Sequence, residues 1–139
     1  NFVTIASKGN ATTFGSLSNE GRDMSSCSNS VRGIFAGGRG STPAYKDITY
    51  VTIASEGNST NFGDLTVARW MAGQGASSNT RGIFMSGITG DGPSYSDFTN
   101  AIDFITIAST GNAQDFGDVS EKSYSGGGCS DSHGGLGGY

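Results

Sequence analysis

Charge is scarce in this chain, and positive charge is the scarcer sign: 8 Lys and Arg stand against 12 Asp and Glu, 14% of 139 residues, for a formal net charge of −4. A nucleic-acid face needs a stripe of Lys and Arg to displace phosphate counterions, so that partner is excluded. Long apolar runs are missing as well. None approaches the ~20 residues that span a bilayer, and no basic amphipathic stretch suits a membrane surface. No segment reads as a secretory signal. Histidine occurs once and cysteine twice. A metal site needs more thiolates or imidazoles than that, so neither metal nor cofactor is expected. Helix is poorly supported anywhere. The sequence opens at Asn1 without an initiator Met, which leaves two readings, a processed product or part of a longer protein.

Glycine is abundant, at 24 residues, and it belongs to a repeat. Val3-Thr-Ile-Ala-Ser-Lys-Gly-Asn-Ala-Thr-Thr-Phe-Gly-Ser-Leu17 returns as Val51-Thr-Ile-Ala-Ser-Glu-Gly-Asn-Ser-Thr-Asn-Phe-Gly-Asp-Leu65. It returns again as Ile105-Thr-Ile-Ala-Ser-Thr-Gly-Asn-Ala-Gln-Asp-Phe-Gly-Asp-Val119. A period near 50 residues means stacked or radially arranged units, each too small to bury its own apolar face. The chain is therefore expected to be one all-β repeat domain over 1–139, with units at about 1–49, 50–103 and 104–139.

Each unit reads as four strand-like pieces. The first is the β-branched run at Phe2–Ala6, Tyr50–Ala54 and Phe104–Ala108. Ser-x-Gly-Asn follows, with turn chemistry at Gly9-Asn10, Gly57-Asn58 and Gly111-Asn112 that predicts a two-residue hairpin. The second piece carries Phe14, Phe62 or Phe116, one large ring at the same point of each unit, which predicts a repeated core layer. The third is rich in small residues, as in Ala72, Gly73, Gly75 and Ala76 after Arg69-Trp70-Met71, and fits strands crowded near an axis. The fourth is Arg32-Gly-Ile-Phe-Ala-Gly-Gly38, matched by Arg81-Gly-Ile-Phe-Met-Ser-Gly87 and more weakly by His133-Gly-Gly-Leu-Gly-Gly138.

This order of pieces resembles the Kelch repeat of β-propellers. Phe14, Phe62 and Phe116 stand where Kelch units usually place Trp, and Ser86-Gly87 stands for the second Gly-Gly. The Thr-Ile-Ala-Ser-x-Gly-Asn-Ala-x-x-Phe-Gly-Asp-Leu string looks more closely like the Kelch-like repeats of structural proteins of marine bacteriophages, often assigned to tail fibres. The resemblance implies three four-stranded propeller-like blades and a place on the virion surface, with an extracellular location as the alternative. Propellers close with about four to eight blades, so two chains would complete a six-bladed ring, or further repeats of the same chain would. A three-sided β-prism and a strand-sharing trimeric fibre remain as alternatives. An isolated open arc is rejected, because its end strands would expose unpaired edges.

Several residues invite sharper readings. Asp64 and Asp118 end Phe-Gly-Asp, but no glycine-rich loop, strand Lys or His-Arg-Asp string accompanies them, and polar turn chemistry explains them. His133 and Cys129 are too few for a metal, and nothing marks a hydrolytic pair. Cys27 and Cys129 occupy near-equivalent places. They are either free small side chains near the axis or a disulfide, which would require adjacent first and third units. Asn10-Ala-Thr12 and Asn58-Ser-Thr60 match a glycosylation pattern, yet the hairpin accounts for them.

The loops Thr42-Pro43-Ala44-Tyr45-Lys46-Asp47 and Gly92-Pro93-Ser94-Tyr95-Ser96-Asp97 correspond at a spacing of 50. Each offers a Pro-stiffened turn, a ring and a carboxylate, groups that hold sugars, so Tyr45, Asp47, Tyr95 and Asp97 form a candidate ligand-binding set. The other reading has Tyr45 and Tyr95 packing under their own loops. The expected function is that of a non-enzymatic virion surface protein, a fibre or fibre-tip module adhering to a host surface through other virion proteins and host glycans. The alternative is a lectin-like propeller or a glycan-cleaving enzyme, which would need paired carboxylates.

Overall fold

Strands form where β-branched and aromatic residues alternate with polar ones, and they stop at the glycine, serine and asparagine clusters. The computed structural model describes residues 1–19, 21–41, 43–70, 74–90 and 95–130. Two four-stranded antiparallel sheets stand among them, and the fold is all-β. In the first sheet, β1 (Ser25–Ser28), β2 (Arg32–Ala36), β3 (Asp47–Thr52) and β4 (Thr60–Asp64) pair in sequence order. In the second, β5 (Gln74–Ser77), β6 (Arg81–Met85), β7 (Ala101–Thr106) and β8 (Gln114–Asp118) do the same. A short 3-10 turn, Tyr95–Asp97, precedes β7.

Each sheet joins the third and fourth pieces of one sequence repeat to the first and second pieces of the next. Residues 1–17 hold a further pair of pieces, and their Phe2↔Thr12 bridge matches the Tyr50↔Thr60 and Phe104↔Gln114 pairs. The expected strand at His133–Gly138 lies outside the described residues.

The two sheets share one register. Arg32 faces Thr52 as Arg81 faces Thr106, and Ile48 faces Gly63 as Ile102 faces Gly117. Both ladders slip at the same place, after Ile48 and after Ile102. The extra residue is Phe62 in β4 and Phe116 in β8, so the Phe of each Phe-Gly sits on a bulge that re-aims its ring.

The Ser-x-Gly-Asn segments depart from the expected two-residue turn. They lie in wider loops, 53–59 and 107–113, because Asn58 and Asn112 are committed to the neighbouring unit. The tight turns fall instead at 29–31 and 78–80. There Asn29 Oδ1 accepts from the Val31 and Arg32 amides, and Ser78 Oγ accepts from those of Thr80 and Arg81.

The core lies between the sheets. Ile34, Ala36, Ile48, Phe62 and Leu65 of the first meet Phe84, Ile105, Ile107 and Ala113 of the second. β1 runs beside β5 so closely that a Cβ on Gly75 would stand 2.0 Å from the Ser26 carbonyl oxygen, which is why small residues occupy these strands. One ion pair is sealed in the same layer. Arg69 Nη2 lies 3.1 Å from Asp103 Oδ2 with both side chains fully buried, and Asp103 also accepts from the Thr66 amide and hydroxyl. Burial pulls the Arg69 pKa down, and the Asp103 charge opposes that shift.

Candidate functional site

The most organised polar chemistry of the molecule lies at the junctions between units. In the junction between the sheets, the Gly111 amide donates to the Phe62 carbonyl at 2.7 Å and the Ala113 amide to the Asp64 carbonyl at 2.8 Å. The Asp64 amide donates back to Asn112 Oδ1 at 3.1 Å. Residues 1–17 meet the first sheet in the same way. Gly57 donates to Phe14 at 2.8 Å, Ser59 to Ser16 at 2.9 Å, and the Ser16 amide to Asn58 Oδ1 at 3.0 Å. The same three-bond clasp is thus built twice at equivalent positions.

The glycine of Phe-Gly is what lets the clasp close. A Cβ on Gly15 would stand 2.0 Å from the Gly57 carbonyl oxygen, and one on Gly63 2.1 Å from that of Gly111. No side chain fits there without moving backbone. A second cross-unit contact is made by Arg32, which stacks 4.5 Å from the Tyr50 ring centroid and donates from Nη1 to the Ile107 carbonyl at 2.7 Å. Arg81 repeats the stacking over Phe104 at 4.7 Å. Each of these rings also packs edge-on against the bulge Phe, in the Tyr50–Phe62 and Phe104–Phe116 pairs.

The loop residues expected to bind ligand are placed less alike than their spacing suggests. Tyr45 is half-buried, its ring 3.2 Å from where a Cβ of Gly21 would stand, and its backbone ties to Gly38 and Arg69. Asp47 opens β3 opposite Asp64. Asp97 sits in the 3-10 turn with its carbonyl taken by the Thr89 amide and hydroxyl at 2.8 Å each. Tyr95 is in that turn too. By strand register the counterpart of Asp47 is Ala101, not Asp97, because the run before β7 is five residues longer than that before β3. The two Tyr-x-Asp triplets therefore do not present the same group twice.

Beside Tyr45, Arg39 lies over the Trp70 ring at 3.3 Å and within 3.6 Å of the Asp23 carboxylate, while Trp70 Nε1 donates to the Gly90 carbonyl at 2.8 Å. This cluster is a clamp between loops, with its charges and its indole already engaged.

Cys27 and Cys129 are both free thiols. They share a hollow of about 380 Å³ along β1 and β5, lined by Ser26, Gly33, Gly75 and Gly128 among others. Burial pushes the Cys27 thiol up to about 12, which removes it as a nucleophile near neutral pH, while Cys129 is exposed. His133 lies outside the described residues. Among the described residues no group of three His, Cys, Asp or Glu could hold a metal ion, and no helix is long and apolar enough to cross a membrane.

No protein-family model and no curated protein matches this sequence. The residues of the clasp were readable as a Gly-Asn and a Phe-Gly that recur in all three repeats, but not their partnership across units. The Arg39–Trp70 stack gave no such signal, since Trp70 occurs once.

Proposed function

We propose that the chain is a non-enzymatic structural module of a virion surface, a fibre or fibre-tip unit whose four-stranded sheets act as propeller-type blades and whose exposed loops adhere to a host surface. The observation that carries this reading is the clasp built twice with one geometry, which is the hallmark of a chain designed to be extended unit by unit. The adjacent inner strands β1 and β5 support the blade reading. So does the use of the polar residues, since Arg69, Asp103, Asn58 and Asn112 hold units together. Adhesion then falls to loop residues such as Tyr45, Asp47, Tyr95 and Asp97, each contributing weakly and gaining strength through avidity.

The test is a panel of immobilised bacterial surface polysaccharides exposed to purified protein. Retention without shortening of the polysaccharide, weakened by Tyr45→Ala with Tyr95→Ala, is the expected result. Depolymerisation abolished by Asp64→Asn or Asp118→Asn would replace the structural reading with an enzymatic one.

A further inference from the structure

Each clasp has a loop half and an edge half, and one copy of each half is left without its partner among the described residues. The open edge is β8. Phe116 is 54% exposed and a Cβ on Gly117 would meet nothing within 4 Å, whereas the counterparts Phe62 and Gly63 are covered by the 107–113 loop. The open loop is Ser7-Lys8-Gly9-Asn10-Ala11, the counterpart of 55–59 and 109–113, and all of its residues are exposed. The strand leading into it tells the same story. Ile5 is 98% exposed, its counterpart Ile53, beside residues 1–17, is 47% exposed, and Ile107, behind the first sheet, is fully buried.

We propose that these halves belong to each other across two molecules: the 1–17 segment of a second copy of this chain docks on β8. Its Gly9 and Ala11 amides donate to the Phe116 and Asp118 carbonyls, and the Asp118 amide donates to its Asn10 Oδ1. Its Val3 and Ile5 cover the face that carries Phe116 and Ile83. The interface is head-to-tail and continues the junctions already inside the chain.

Charge independently assigns this loop to this edge. Around the first clasp the loop carries Glu56 and the edge Thr13 and Ser16; around the second, Thr110 meets Asn61 and Asp64. The open loop carries Lys8 and the open edge Asp115 and Asp118. The one cationic loop therefore matches the one doubly anionic edge, and Glu56 would be repelled there. This inference rests on the assembling-module reading but not on adhesion, so a molecule that assembles yet binds no polysaccharide would sink the adhesive role and leave the interface standing.

Sedimentation velocity of the 139-residue chain tests it. The expected result is a species heavier than 14.1 kDa, either one closed size or a mass that grows with concentration; both follow from a head-to-tail contact, according to whether the rotation per unit closes a ring. Ile5→Asp, at a side chain already in water, should weaken association about 10- to 100-fold without altering the monomer's circular dichroism. Lys8→Glu should weaken it and reverse its salt dependence, since salt then screens a repulsion, and Asp115→Lys with Asp118→Lys in the Lys8→Glu background should restore it. A monomer at all concentrations up to about 1 mM, or an assembly indifferent to Ile5→Asp and to charge reversal, overturns the proposal.

Discussion

The two sheets carry nearly the same residues in the same register, yet they are buried differently. Ile34 is fully buried where Ile83 is half-exposed, and Phe84 is fully buried where Phe35 is not. Phe62 is 3% exposed and Phe116 54%. The first sheet turns Ile34 and Phe62 toward its neighbour, which answers with Phe84, Ile105 and Ile107. What differs is not the residue but whether a unit stands on that side. Burial in a repeat is thus a property of the junction, and each sheet is stable on the face where a junction is closed.

The comparison is broken most severely at the buried ion pair, which among the described residues only one junction has. Thr49 occupies in the first sheet the place that Asp103 takes in the second. Asp103→Ala strands Arg69, whose Nε and Nη1 already lack partners, and should cost about 3–5 kcal/mol in urea unfolding, while Thr49→Ala should cost far less. Close behind comes Phe62→Ala, expected to lose about 3–5 kcal/mol, against less than about 1 kcal/mol for Phe116→Ala in the dilute monomer. Equal losses would mean that β8 is covered after all. Smaller again is the clasp itself. Asn112→Ala should destabilise by about 1 kcal/mol, whereas Asn10→Ala should leave the monomer's melting unchanged.

The smallest effect concerns the near-equivalent thiols. Cys129 should react with a maleimide at pH 8 and Cys27 only on unfolding, as read by mass spectrometry of the labelled chain. The Cys27 thiol titrates near 9.0 in its ordinary state and near 12 when folded, so the folded form holds a proton that the unfolded form gives up. Its contribution to stability is intact below pH 9 and lost as pH rises from 9 toward 12. Cys27→Ala should flatten that part of the stability–pH curve.

Much of this fold was legible beforehand. β3, β7 and the Phe-Gly strands follow from β-branched residues and alternation; the small residues were read as strands crowded near an axis, and β1 and β5 do run side by side. Two local readings went astray for a common reason. Gly57-Asn58 has the chemistry of a tight turn, but Asn58 Oδ1 is taken by the amide of Ser16, a residue 42 positions away, so the turn widens. The Tyr45 and Tyr95 loops match in wording at a spacing of 50, yet the strands they precede are offset by 54, and the ladder overrides the wording. Local preference is weak beside a backbone bond supplied from the next unit.

By itself the sequence determined that the chain is built of repeated short strands and where most of them lie; the expected core layer of one ring per unit holds for Phe62, whereas Phe14 is half-buried and Phe116 is 54% exposed. Alternation and turn residues act over a few bonds, so they specify dihedrals and faces wherever they occur. Which of three equivalent rings is buried, which Asn clasps which amide, and that Arg69 meets Asp103 were decided only by the tertiary structure. Those outcomes depend on what another stretch of chain places opposite, and identical residues answer differently when that neighbour is there and when it is not.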